Sequence, residues 1–73
     1  MRVSNGLRRL RRVRGFGVSA LAKEVGISRQ SIYAIESGRY VPNTSIALNL
    51  ASVLQVSVEE LFFIKAQGRA RRQ

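Results

Sequence analysis

Glycine and proline punctuation constrains this chain more than any other feature. Gly15, Gly26 and Gly38, followed by Pro42 and Asn43, divide it into five short apolar patterns with helical spacing. No stretch alternates with period two over a useful length, so the expected fold class is all-α. The first pattern runs from Ser4 or Asn5 to Arg14. Leu7, Leu10 and Val13 or Arg14 form its inward stripe, and Gly15 is its stop. Its other face, Arg8, Arg9, Arg11 and Arg12, is either a solvated surface or an anion-binding one. The second spans about Val18 to Val25, with Leu21, Ala22 and Val25 as its stripe, and Ile27 follows Gly26 as an apolar plug. The third opens at Ser28, a good N-cap residue, and runs to about Ser37 with Ile32 and Ile35 inward. After the loop Arg39-Tyr40-Val41-Pro42-Asn43, the fourth covers about Thr44 to Leu54 and is expected to bury Ala47, Leu48, Leu50, Ala51 and Leu54. Gln55 stands where a glycine is expected, so a left-handed residue there carries strain. Ser57 opens the fifth, where Ser57 and Glu60 match a capping box and Val58, Leu61 and Phe62 face inward.

Composition narrows the chemistry. Seventy-three residues hold one small domain, with a core that is marginal without help. There is no cysteine and no histidine, which removes disulfides, thiolate zinc sites and the commonest general base and metal ligand. Glu24, Glu36, Glu59 and Glu60 are too few for a hard-metal cage. No metal, cofactor or enzymatic activity is expected, because no nucleophile–base pair can be built and Ser–Lys chemistry lacks a supporting motif. Helix packing and a partner subunit are the stabilising devices left.

The formal charge of +9, from 13 basic against 4 acidic residues, is a statement about partners rather than fold. Nucleic acid, an anionic membrane surface and an acidic protein are the candidates. Most of the basic residues are arginine, whose planar fork suits phosphates and guanine edges, although GC-rich genomes also favour it. No run of about 18 apolar residues is present to span a membrane. The first fifteen residues, MRVSNGLRRLRRVRG, lack an apolar signal region. The expected location is the cytoplasm, with no membrane partner.

The second and third patterns together match a helix-turn-helix. Ala22 is small where two helices must cross closely, Gly26 suits the tight turn, and Leu21, Val25, Ile27, Ile32 and Ile35 are placed to lock one helix on the other. A purely structural helical hairpin shares part of this pattern. In a helix-turn-helix the second helix enters the major groove and its first residues reach base edges. Arginine pairs bidentately with guanine and glutamine with adenine, so Arg29 and Gln30 are of the right type in the right place. Ser31 and Tyr33 suit phosphates or thymine methyls, and Ala34, one turn beyond Gln30, suits a thymine methyl. For each of these residues, plain surface polarity is the competing reading.

The segment from Leu7 to Phe62 resembles the Cro/lambda-repressor-like helix-turn-helix family, also called the xenobiotic-response-element (XRE) family. The most specific pieces are the Leu21-Ala22 pair with VGISRQSI, then IESGRYVP and ALNLASVLQVSVEELF. The resemblance implies a compact five-helix, lambda-repressor-like DNA-binding domain, here expected over residues 1–66; the charged, glycine-started end of the chain is expected to be a basic, disordered tail over 67–73. It implies base reading by Arg29, Gln30 and Ala34. It places Ser31, Tyr33 and Arg39 near the DNA backbone, with Ser37, Tyr40 and Asn43 of the loop that follows; Ser28, and Arg8 and Arg12 of the arginine-dense first helix, are expected as further backbone contacts. Glu36 resembles the family's usual glutamate, a partner for a basic residue of the first helix. One departure concerns the start of the second helix. The family often has serine and then glutamine there, the glutamine anchoring a phosphate. Gly17 and Val18 stand in their place, leaving only the Val18 backbone N–H for that contact. Thr44 and Gln55 also depart from the usual apolar residue and glycine.

The expected function is that of a sequence-specific double-stranded DNA-binding transcriptional regulator, acting as a homodimer. The alternative is an antitoxin-type or other protein-interaction module of the same fold, with a toxin or another protein as partner. Non-specific binding to RNA or an anionic membrane is a third reading, disfavoured by the helix-turn-helix spacing. Phe62, Phe63 and Ile64 run consecutively and cannot all face one small core. One of them either lies on a dimer face or covers the core edge. The end of the chain, QGRARRQ, reads equally as a tail or as the start of a linker.

Overall fold

The computed structural model describes residues 2–65; the expected basic tail lies outside the described residues. The elements are β1 (Arg2–Asn5), α1 (Leu7–Val13), α2 (Val18–Val25), α3 (Arg29–Glu36), α4 (Thr44–Leu54), α5 (Val58–Leu61) and β2 (Phe62–Lys65). All five expected helices form. The all-α expectation is corrected by a two-stranded antiparallel ribbon that pairs the two ends of the domain, Arg2 with Lys65, Val3 with Ile64, Ser4 with Phe63 and Asn5 with Phe62.

The ribbon explains where the outer helices stop. Phe62 ends α5 with extended backbone, φ −124° and ψ 131°, and the β-favouring run Phe62-Phe63-Ile64 continues as β2. At the other end, Ser4 and Asn5 belong to β1, so α1 begins at Leu7 and not at the expected Ser4 or Asn5. The amide of Gly6 carries the ladder one step further by donating to the carbonyl of Leu61 at 3.0 Å.

Helices α3, α4 and α5 begin on side-chain caps. Ser28 Oγ accepts from Ser31 N at 3.0 Å and Asn43 Oδ1 from Ile46 N at 2.9 Å. Ser57 and Glu60 form the expected reciprocal capping box, at 3.0 and 2.8 Å, satisfying two otherwise unpaired donors. Gln55 closes α4 in the left-handed region, φ 59° and ψ 44°, the only non-glycine residue with positive φ among those described.

The core is Leu7, Leu21, Ala22, Ile32, Ile35, Leu50, Ala51, Leu54 and Leu61. Burying each of its large aliphatic side chains stabilises the fold by roughly 1.5–3 kcal/mol. Leu10, Val18, Val25, Ile27, Ile46, Val58 and Phe62 pack partly buried against it. Two expected inward residues are outside: Val13 is 70% exposed and Leu48 is 53% exposed. The buried stripe of α1 passes from Leu7 to Arg11, one turn on, and misses Val13. On α4, Leu50, Ala51 and Leu54 define the inner face, and Leu48 lies off it. No helix among the described residues is long and apolar enough to cross a membrane.

Candidate nucleic-acid interface

The turn between α2 and α3 has the geometry that its sequence calls for. Gly26 takes φ 85° and ψ 30°, a conformation that costs a residue with a Cβ about 1–2 kcal/mol. Its amide and that of Ile27 both donate to the Ala22 carbonyl, at 2.8 and 3.0 Å. Ala22 is buried where the helices cross, and Leu21, Ile32 and Ile35 are completely buried. The outward face of α3 is thereby fixed, because its inward residues have one packing.

On that face Arg29, Gln30 and Tyr33 are exposed, and Ser31 and Ala34 are half-buried beside them. Ser28 spends its acceptor on the Ser31 amide and donates its hydroxyl to Ser31 Oγ at 3.0 Å. The Ser31 hydroxyl proton therefore remains available to an acceptor outside the protein. Val18 is the first residue of α2, so its amide has no intrahelical partner.

The loop after α3 is knotted onto the helix end through one carbonyl. Ala34 O accepts from Arg39 N at 3.0 Å, Tyr40 N at 3.2 Å and Ser37 Oγ at 3.0 Å. Ser37 Oγ in turn accepts from Arg39 Nε at 3.2 Å. Arg39 and Tyr40 are thus exposed on a constrained loop. Asn43 is exposed as well, with its Oδ1 committed to the α4 cap.

Sequence placed Arg11 on the exposed basic face, but it is 8% exposed. Arg11 Nε donates to Glu36 Oε2 at 2.7 Å, and Arg11 Nη1 donates to the carbonyl of Phe16 at 3.0 Å. The Glu36 side chain is nearly buried and also receives Arg8 Nε at 3.5 Å, so one carboxylate of α3 holds two arginines of α1. The expected role of Glu36 as a partner for the first helix is met. Arg8 keeps most of its side chain exposed, although its Nε is turned toward Glu36. Arg8, Arg9 and Arg12 line an open groove together with Val13 and Phe63.

A second surface was hidden from sequence reasoning. Val3, Val41, Pro42, Ala47, Leu48, Val58 and Phe62 line an uncharged hollow completed by Thr44. Ile64 extends it, because Ile64 lies opposite Val3 in the ribbon and so shares its face. Val3, Val41, Leu48 and Ile64 are all substantially exposed. Their signal was split among three stretches, at residue 3, over 41–48 and over 58–64, and the ribbon brings the first beside the last.

A helix-turn-helix domain model matches residues 4–61 of the chain. This is an XRE-like helix-turn-helix protein. Among curated relatives of this helix-turn-helix protein is the uncharacterized HTH-type transcriptional regulator YgzD of Bacillus subtilis. It is 31% identical over 66 residues, covering 90% of this chain and 100% of the relative. An uncharacterized HTH-type transcriptional regulator of Methanocaldococcus jannaschii is 37% identical over 60 residues, covering 82% of this chain and 91% of the relative. A third, from Methanothermobacter thermautotrophicus, is 35% identical over 63 residues, with 85% and 91% covered. The matched region of the helix-turn-helix protein takes in α1 to α5 and the second half of β1.

Proposed function

We propose that this protein is a transcriptional regulator that binds double-stranded DNA sequence-specifically as a homodimer, with α3 in the major groove. One observation carries the reading: a reader-helix face beginning Arg29-Gln30, exposed at a capped N-terminus and held by completely buried Ile32 and Ile35. Arg29 pairs with the O6 and N7 of a guanine, Gln30 with the N6 and N7 of an adenine, and Ala34 packs on a thymine methyl. The Val18 amide, the Ser31 hydroxyl, Ser28, Tyr33, Ser37, Arg39, Tyr40 and Asn43 follow the phosphates around the helix, with Arg12 and Arg8 reaching from α1. Phosphate contacts position the protein and base contacts specify the sequence. The names of the relatives support the regulatory role.

The uncharged hollow supports the homodimer. On a chain of net charge +9, two copies approach best where no arginine intervenes, and Val3, Val41, Leu48 and Ile64 offer such a face.

The test is selection from random duplex DNA with the purified chain at near-physiological salt. An enriched palindrome, with half-site centres about one helical turn apart, is the expected result. Recovery of DNA without a consensus would overturn sequence-specific reading and favour the partner-dependent, antitoxin-like module.

A further inference from the structure

Asn5 sits where three elements meet. Its backbone lies opposite Phe62 in the ribbon. Its Oδ1 accepts the Leu7 amide, at the start of α1, at 3.1 Å, and its Nδ2 donates to the carbonyl of Ile35, in the last turn of α3, at 2.9 Å. The orientation of the side-chain amide follows from its partners. Leu7 N is a donor and Ile35 O an acceptor, so exchanging oxygen and nitrogen would set like against like at both ends. Ile35 O is one of the C-terminal carbonyls of α3 that lack an intrahelical partner, and it also receives the Gly38 amide at 3.0 Å. Asn5 and Glu36 both line the two open grooves that flank this junction. The Asn5 side chain therefore spans the gap between ribbon and reader helix.

We infer that Asn5 is a positioning residue. It fixes the angle of the reader helix against the ribbon, and thereby the separation of the two reader helices in the dimer. This rests on the DNA-reading dimer proposed above, in which Val3 and Ile64 of the same ribbon meet a second copy. The lever is long. Half-site centres about 34 Å apart put each reader about 17 Å from the two-fold axis. A tilt of about 10° then moves it by about 3 Å, close to one base-pair step of 3.4 Å. Glu36 holds the same helix end to α1 only. Asn5 alone among the described side chains donates from the ribbon into α3, and so couples the dimer face to the reader.

Asn5→Asp separates the two side-chain bonds. It keeps the acceptor for the Leu7 amide and removes the donor to Ile35, whereas Asn5→Ala removes both. Wild type and both variants are titrated with duplexes carrying the selected half-sites at the selected spacing, one base pair closer and one base pair farther. Wild type is expected to prefer one spacing by about tenfold or more, the cost of a typical mismatch. The variants are expected to lose most of that preference while keeping the same base preferences within each half-site. Amide exchange of Gly38 is expected to quicken in both, reporting the loosened helix end. An unchanged spacing preference, or equal weakening at every spacing, would reduce Asn5 to a structural residue and overturn the inference. Unchanged Gly38 exchange would do the same. Should one variant fail to fold, the other still decides. If wild type selects no palindrome, the dimer reading has failed, which is seen before any variant is made.

Discussion

Gln55 and Glu36 carry their constraints in opposite ways, one in the backbone and one in a side chain. Gln55 holds φ 59° at the end of α4, and Arg14 Nη2 donates to its carbonyl at 3.2 Å. Gln55→Gly removes the Cβ conflict and keeps the carbonyl, so it should stabilise the protein by about 1 kcal/mol. That corresponds to a rise in Tm of about 4–8 °C for a domain of this size, read by thermal melting. This strain was legible in the sequence, because a left-handed terminus is recognised by the residue that ought to be there. The role of Arg11 was not legible. Four neighbouring arginines on α1 look alike, and only packing against α3 selects the one that reaches Glu36. Glu36→Ala leaves Arg11 buried without its counter-ion, and should cost about 3–5 kcal/mol in denaturant unfolding. Replacing both Arg11 and Glu36 by apolar residues of similar volume should cost much less. Equal losses in the two cases would show that burial of charge is not what makes the pair matter.

At the scale of elements, α2, α3 and α4 lie where their caps and glycines put them, because those signals are local. The two strands escaped. RVSN carries polar residues that suit a helix start, FFIK opens with three consecutive apolar residues and ends on a lysine, and each strand makes sense only beside the other. The consequences of α3 are testable one side chain at a time. Gln30→Ala should relax the preference at one base pair of each half-site by roughly 1–3 kcal/mol, measured against the four possible bases. Unchanged selectivity would remove Gln30 from the readers. On α1, Arg12→Ala should weaken binding to all duplexes alike and flatten the dependence of log K on log salt by about 0.9 per subunit. Arg8→Ala should flatten it less, because Arg8 Nε is already turned toward Glu36. A larger effect at Arg8 than at Arg12 would reverse the assignment drawn from that ion pair.

The whole molecule divides its surface by charge. Among the described residues, arginines cluster on the outer face of α1, with Arg29 at the start of α3, while the hollow between the ribbon, α4 and the Val41-Pro42 turn is lined by uncharged side chains. Leu48→Arg places a cation in that hollow at a position 53% exposed in the monomer. It should leave helix content intact by circular dichroism, shift the mass seen in sedimentation from dimer to monomer, and weaken binding to a palindrome far more than binding to a single half-site. Persistence of the dimer would move the interface elsewhere. The sequence conveyed the order of the helices, the turn and the polar face of α3. It did not convey this division, because Leu48 fits a core-facing pattern as well as an outward one until the rest of α4 is packed.

The ribbon also imposes an order in time. Its two strands are about sixty residues apart in the chain, so β1 must wait without a partner until the ribosome has released nearly the whole domain. The helices between them can form as they emerge, since their contacts are closer in sequence. A face built from Val3 and Ile64 is therefore completed only after β2 has emerged, and a nascent chain halted before Phe62 would display a helix-turn-helix without the surface proposed for pairing.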